Sequence, residues 1–403
     1  MVSKLTVDTG EFGAGGRVDV PDLEALETLR SVARTVLNPL TTPADAGRVN
    51  RPLLEAMGEV GLLGRLFPSL GPAGGWADVS ATELCLLREA IASVDTHAET
   101  ALALQGLGGY PILQAGSDES RKRWMPAITA GKAVAAFALS EPGAGSDAAA
   151  IEARAERDGE GWRLYGEKSW ISNAPEADVY SIFVKTAPEA GSRGVSAFAL
   201  PGARPGVSGE HIDLLAPHPI GRLVLDGVYV GPEDLLGEEN KGFRVAMRTL
   251  NLFRPSVGAF AVGMARAALD AAVVHGETRI AFGAALAEQQ SVSHLLAEMA
   301  TRLEAARLLV YSAASAYDQR NEQEKQARLS AMAKYFATET AQFVIDGALQ
   351  IHGARGLVTG GLLEHLYREV RATRIYEGAT EVQRTIVARS LRKGVRPADA
   401  ARD

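Results

Sequence analysis

Cysteine is almost absent from this 403-residue chain: Cys85 is the only one, which excludes an internal disulfide, a multi-cysteine metal cage and an iron–sulfur cluster. Its seven histidines, at 97, 211, 218, 275, 294, 352 and 365, include no pair at a ligand spacing such as H-E-x-x-H, so no metal site is expected. There is no G-x-S-x-G elbow, and Cys85 falls on an apolar helical face as a core residue. A nucleophile-based hydrolase therefore lacks support. Positive charge is also in deficit, 42 Lys and Arg against 49 Asp and Glu for a net of −7, which removes the electrostatic basis of a nucleic-acid surface. No apolar run approaches the roughly 18 residues of a membrane span. The first ten residues lack the basic-then-apolar order of a secretion signal, and Asp8 and Glu11 argue against a mitochondrial presequence. A reducing, cytoplasmic setting is expected. What the chain does have is 46% hydrophobic and 23% charged residues, the composition of a soluble globular protein long enough for two or three packed modules.

Three zones follow one another. Residues 20–130 read as helices: Leu23, Leu26, Leu29, Val32 and Leu37 recur at helical spacing, Asn50 caps a second helix with Pro52 in its first turn, Ser80 opens a third, and a fourth runs from Glu119 to Ile128. Gly71 to Gly75 reads as a loop. Over residues 131–236 the period becomes two. Val134–Leu139, Ile151–Arg157, Trp162–Ile171, Val179–Lys185, Val195–Leu200 and Arg222–Val230 read as short strands joined by tight turns, implying an antiparallel barrel or sandwich. Over residues 237–392 helices return, spanning roughly Gly242 to His275, Gln323 to Leu349 and Thr380 to Arg392. Between the first two, Val292, Leu296, Met299, Leu303, Ala306, Val310, Ala313 and Tyr317 alternate spacings of four and three, a bundle seam about seven turns long. Lys393 begins a polar tail. The fold class is thus α+β: an N-terminal helical domain, a central antiparallel β-barrel or sandwich, and a C-terminal four-helix bundle.

Gly143-Ala-Gly145-Ser-Asp-Ala148 matches the G-x-G-x-x-A dinucleotide fingerprint, but that fingerprint works only when a helix follows and points its N-terminus at the pyrophosphate. Here the next element is a strand. A tight turn at a sheet edge is one alternative. A glycine-rich loop that lets a bulky ligand approach the backbone fits better.

Longer phrases carry more information: Phe137-Ala-Leu-Ser-Glu-Pro-Gly-Ala-Gly-Ser-Asp147, Trp170-Ile-Ser172, Arg279-Ile-Ala-Phe-Gly283, Gln350-Ile-His-Gly353 and Ile375-Tyr-Glu-Gly378. In this order, over a helix–β–helix plan, they make residues 20–392 resemble the acyl-CoA dehydrogenase family. The resemblance implies FAD as cofactor, oxidation of the Cα–Cβ bond of an acyl thioester to the trans-2-enoyl product with hydride transfer to flavin N5, an acyl-CoA or acyl-carrier-protein substrate, an electron-transfer flavoprotein as acceptor, and a homotetramer or dimer. That chemistry removes an α-proton and a β-hydride together. A carboxylate serves as base when it is fixed beside Cα and partly desolvated, and Glu377, with Gly378 behind it allowing a turn, is the candidate. No side chain accepts a hydride, so a cofactor must.

By the same resemblance Phe137, Leu139 and Ser140 lie along the flavin, and Trp170 and Ser172 cover its other face and edge. Arg279, Phe282, Gln289, Gln290, Gln350 and Gly353 hold the pyrophosphate and adenosine arm, partly across a subunit interface, with Ala379 and Glu381 also on the cofactor side. Ser146, Asn251, Arg254, Gly378 and Arg389 match positions along the CoA arm, and the backbone N–H of Glu377 donates to the thioester carbonyl. Some family branches place the base on the helix, one residue before the position of Arg254; Phe253 closes that route. The family's Gly-Gly pair is Gly353-Ala354 here, Ala379 replaces the usual threonine, and Leu214–Ile220 departs from the usual loop. Rival readings are an acyl-CoA oxidase, a flavin monooxygenase on the same fold, which would dispense with a base such as Glu377, and a non-catalytic binding protein.

Overall fold

The computed structural model describes residues 18, 20–41, 47–69 and 75–393. The segment read for targeting signals, the loop beginning at Gly71 and the tail after Lys393 lie outside the described residues, apart from isolated positions. The chain divides into two compact units, one spanning Leu23–Phe253 and the other from Arg254 onward.

The first unit opens with helices α1 (Leu23–Val32), α2 (Arg51–Glu59), α3 (Leu62–Leu66), α4 (Ala81–Ala92), α5 (Thr96–Ala115) and α6 (Asp118–Thr129). Side-chain caps fix the starts of α2 and α4: Asn50 accepts from the Leu53 amide at 3.0 Å and Ser80 from the Glu83 amide at 3.2 Å, satisfying N–H groups that the first turn leaves without helical partners. Helix α5 is buried along most of its length. Gly108 lets it lie directly on the sheet, because a Cβ there would come within 2.4 Å of the Ala136 amide. The fully buried Gln105 ties the layers together: its amide donates to Ile128 and Ala133 carbonyls, and its oxygen accepts from Ala135.

Seven strands follow: β1 (Ala135–Ala138), β2 (Arg154–Asp158), β3 (Gly161–Ser172), β4 (Val179–Lys185), β5 (Val195–Pro201), β6 (Val207–His211) and β7 (Ile220–Val230). They form one sheet in the order β1-β4-β2-β3-β7-β6, with β5 on β4. Most pairs are antiparallel, as expected, but β4 pairs in parallel with β1 and, at one residue pair, with β2. The reason for the β1 pairing lies in the turn after β3, which brings the chain back beside the start of β1. There Asp178 and Val179 both donate to the Val134 carbonyl, and the Asp178 carboxylate accepts from the Val134 amide at 2.7 Å.

Helix α7 (Gly242–Thr278) leads into the second unit, followed by the hairpin strands β8 (Ile280–Ala281) and β9 (Ala284–Ala285) and helices α8 (Gln290–Asp318), α9 (Gln323–His352), α10 (Leu362–Thr373) and α11 (Thr380–Lys393). One sequence expectation needs correcting: α7 is long and apolar enough to cross a membrane by length and composition, and its most apolar stretch is 67% buried inside the protein. A helix apolar all round suits a protein core as well as lipid. The α8 seam holds through its centre, with Met299, Leu303, Ala306, Val310 and Ala313 buried, while Val292, Leu296 and Tyr317 at its ends are half-buried. Burying each large apolar side chain there contributes about 1.5–3 kcal/mol.

Candidate active site

The catalytic candidate sits in the short link between α10 and α11. Helix α10 ends at Thr373, and the Ile375 and Tyr376 amides fall back on the Ala372 carbonyl. The chain then reverses through two residues with left-handed backbone, Glu377 (φ 50°) and Gly378 (φ 99°). Glycine takes this conformation freely, whereas glutamate there is uncommon and strained, the kind of outlier that persists where surroundings over-determine it. Glu377 is half-buried and its Oε2 is shielded from solvent.

Fixed donors hold the turn. Arg254 Nε, from α7, donates to the Glu377 carbonyl at 3.3 Å. The Gly378 carbonyl accepts from Lys334 Nζ of α9 at 2.8 Å and from Gln383 Nε2 of α11 at 3.1 Å. Below it, Glu339 accepts from Arg374 and from the Thr380 hydroxyl, at 3.0 and 3.1 Å. Burial pushes both cations down, Lys334 to about 8, and in each the charge of Glu377 opposes the shift. Phe253 is fully buried. Asn251 precedes Arg254 by three residues on one helix face, while Arg389 is exposed further along α11. Ala379 is half-buried and Glu381 exposed beside the turn.

A second cluster lies in the first unit, where β1 ends. The Ser140 carbonyl accepts from the Ser169 amide, and Lys168 Nζ donates to the Leu139 carbonyl at 3.0 Å and to Glu141 at 2.7 Å. Glu141 also accepts from the Ala153 amide at 3.0 Å. This buried pair fastens the glycine-rich turn to the sheet. Burial pushes Lys168 down to about 8, against the pull of Glu141. Phe137 packs its ring 4.9 Å from that of Phe183. Trp170 stands on a bulge in β3 with left-handed backbone (φ 62°) and leaves its side chain 55% exposed. Gly143 and Gly145 are followed by a single short turn and then β2, not by a helix. A Cβ on either glycine would meet nothing within 4 Å, so packing does not require them. Ser146 is exposed in the same loop.

Sequence reasoning missed His218. The Leu214–Ile220 segment closes over the end of β3: the Pro219 carbonyl accepts from the Asn173 amide, and His218 Nε2 lies 3.1 Å from the Ser172 hydroxyl. Burial, and then the charge of His97, hold His218 down to about 4, so the imidazole is neutral at ordinary pH.

The remaining residues gather at the far ends of α7 and α9. Phe282 and Gly283 form the left-handed turn of the β8–β9 hairpin, with Phe282 97% exposed. The His275 and His352 rings stack at 4.2 Å. Arg279 and Arg355 are close enough that both, with burial and His352, push His275 down. Arg355, overlooked in the sequence, thus joins Arg279 in a cationic group. Gln289 precedes α8, Gln290 begins it, and Gln350 and the left-handed Gly353 (φ 59°) end α9. Nineteen residues separate Lys334 from Gly353 along α9, about 28 Å at the helical rise. This group therefore does not meet the Glu377 turn within its own unit.

Models of the N-terminal, middle and C-terminal domains of acyl-CoA dehydrogenase match residues 22–132, 136–228 and 240–392. The chain is 36% identical over 372 residues to a cyclohexane-1-carbonyl-CoA dehydrogenase of Geobacter metallireducens, covering 91% of this chain and 96% of that one. Among solved structures it resembles butyryl-CoA dehydrogenase from Megasphaera elsdenii, with a TM-score of 0.85, 31% identity, and 93% and 100% of the two chains covered. It also resembles the FAD complex of PigA, with a TM-score of 0.86, 26% identity, and 93% and 99% covered. The chain belongs to the acyl-CoA dehydrogenase family.

Proposed function

We propose that this protein is an FAD-dependent acyl-CoA dehydrogenase in which Glu377 removes the α-proton of an acyl thioester. The observation that carries this reading is the strained, half-buried Glu377 turn, whose two carbonyls are held by side chains from three helices. A solvated loop glutamate has no need of such support. The residues also suit the cofactor. The partly exposed Trp170 ring offers a flat apolar wall, the Gly143–Gly145 turn leaves the backbone approachable, and Arg279 with Arg355 gives fork-shaped donors for a pyrophosphate.

Bound FAD supplies the acceptor for the β-hydride, a role outside side-chain chemistry. The chain's own residues do the rest. Glu377 takes the proton from Cα, and by family resemblance its N–H faces the thioester carbonyl, where one preorganised donor is worth about 3 kcal/mol of barrier. By family resemblance Trp170 would cover one face of the flavin. Ser172 is oriented by a neutral His218. The separation along α9 supports a cofactor arm held partly by a second subunit, hence a homo-oligomer, which we take to be a tetramer. An electron-transfer flavoprotein is the proposed acceptor, and the cytoplasm the proposed setting, in keeping with a single, buried cysteine.

The test is E377Q in the FAD-loaded protein, assayed anaerobically by flavin bleaching across straight, branched and carrier-bound thioesters. Turnover should fall about 10²–10⁴-fold, the usual worth of a general base, with flavin content unchanged. A near-normal rate removes Glu377 from the reaction.

A further inference from the structure

Lysine is among the residues least often buried, yet Lys334 is 0% exposed in the middle of α9. It stands on the helix's core-facing stripe, in step with Ser330, Ala337, Ala341, Val344, Ala348 and Ile351. Its ammonium reaches the carbonyl of Gly378, the residue after the proposed base. The preceding carbonyl, that of Glu377, is held by Arg254. Two successive peptide groups of a left-handed turn are therefore fixed by two cations from different helices.

We propose that Lys334 is a positioning residue for Glu377: it pins the Gly378 carbonyl, fixing the backbone from which the carboxylate projects, and it sets a positive charge beside that carboxylate. The proposal rests on the reading of Glu377 as base. The charged groups facing Lys334 are Glu377 in the turn, Arg254 on α7, Glu339 on its own helix and Glu381 at the start of α11. Burial lowers the proton affinity of Lys334 to about 8, and Glu377 is the first-ranked charge opposing that. The attraction is mutual, so the same charge favours the ionised, proton-accepting form of Glu377. Below pH about 8 the ammonium is in place. A neutral substitute removes the charge at every pH.

The experiment is the pH profile of kcat/KM for the FAD-loaded enzyme with an acyl-CoA substrate, measured for the parent, K334M, K334Q and K334R, alongside flavin content and melting temperature. K334M should move the acidic limb to higher pH by about one unit or more, the usual effect of a nearby opposite charge on a carboxylate, and lower kcat at least tenfold. K334Q, which retains a neutral donor, should move the limb as far while keeping more of kcat. K334R, which retains the charge, should leave the limb in place. Limbs of K334M and K334Q that coincide with the parent's overturn the proposal, as does a displaced limb in K334R. Should K334M fail to accumulate as holoprotein, the K334Q and K334R profiles decide the question alone. E377Q separates the two levels of argument. Normal turnover in E377Q defeats the base assignment, whereas an inactive E377Q with unmoved limbs in the Lys334 variants defeats only the positioning role.

Discussion

Gly378→Ala tests whether the turn that carries Glu377 is as tightly specified as its contacts indicate. Gly378 has φ 99°, which a side chain rarely tolerates, and a Cβ there would come within 2.1 Å of Gln383 Nε2 and 3.7 Å of Arg254 Nε. Gln383 could escape only by swinging aside. It is fully buried, however, and its Nε2 is one of the two donors to the Gly378 carbonyl. Backbone strain of about 1–3 kcal/mol and loss of one hydrogen bond of about 0.5–1.5 kcal/mol together give a penalty of roughly 1.5–4.5 kcal/mol. The protein can take that penalty as lost stability or relax it by moving the turn. A shift near 1 Å at a reacting group costs on the order of 10²-fold in rate. Denaturant unfolding and α-proton exchange into deuterated solvent, measured on the same preparation, capture both routes. A G378A enzyme with parental unfolding midpoint and parental exchange would refute the view that this turn is held in one geometry.

Four further outcomes are expected. Lys168→Met should destabilise the first unit by about 3 kcal/mol or more, because Glu141 would remain buried without its cation; denaturant titration reads this, and K168M/E141Q should recover part of the loss. Lys168 and Lys334 both have folded-state values near 8 against an ordinary 10.5. The unfolded chain therefore binds more protons between those values, and stability should rise with pH from about 8 until the buried Tyr180 phenol, pushed up by burial, opposes further gain above 10. His218, held at about 4 rather than 6.5, gives the opposite limb: stability should fall as pH drops from 6.5 toward 4, and less steeply in H218Q, as melting temperatures across that range will record. Trp170→Gly should leave apoprotein stability within about 1 kcal/mol, since relief of left-handed strain offsets lost packing of a ring already half exposed, while flavin retention on a desalting column is lost.

What was legible in the sequence was whatever is written locally or in a phrase. Asn50 and Ser80 cap helices because their oxygens reach amides three residues on, and the α8 seam is a periodicity within one segment. The Glu377 turn was legible through the glycine that follows it. What escaped depends on partners distant in the chain. The parallel β1–β4 pair follows from a turn near residue 175 returning to Val134. Arg254 was read only as a residue of the CoA arm, and its grip on a carbonyl 123 residues away was not legible. His218 needed Ser172, 46 residues upstream. Lys334 left a trace that was there to be read: a lysine on the core-facing stripe of a helix, among small apolar residues. Such a position is costly unless something in the interior needs a cation, and here the need is a glycine carbonyl 44 residues later. A charge on an apolar stripe is thus a local contradiction whose resolution lies elsewhere in the chain. In this protein Lys334 resolves onto the turn that carries the base, and Lys168, buried in β3, onto the turn that leads from β1. Among the charged side chains buried within the described residues, these two lysines each brace a turn on which the proposed chemistry relies, so there a breach of the burial rule marks where the fold secures a working part.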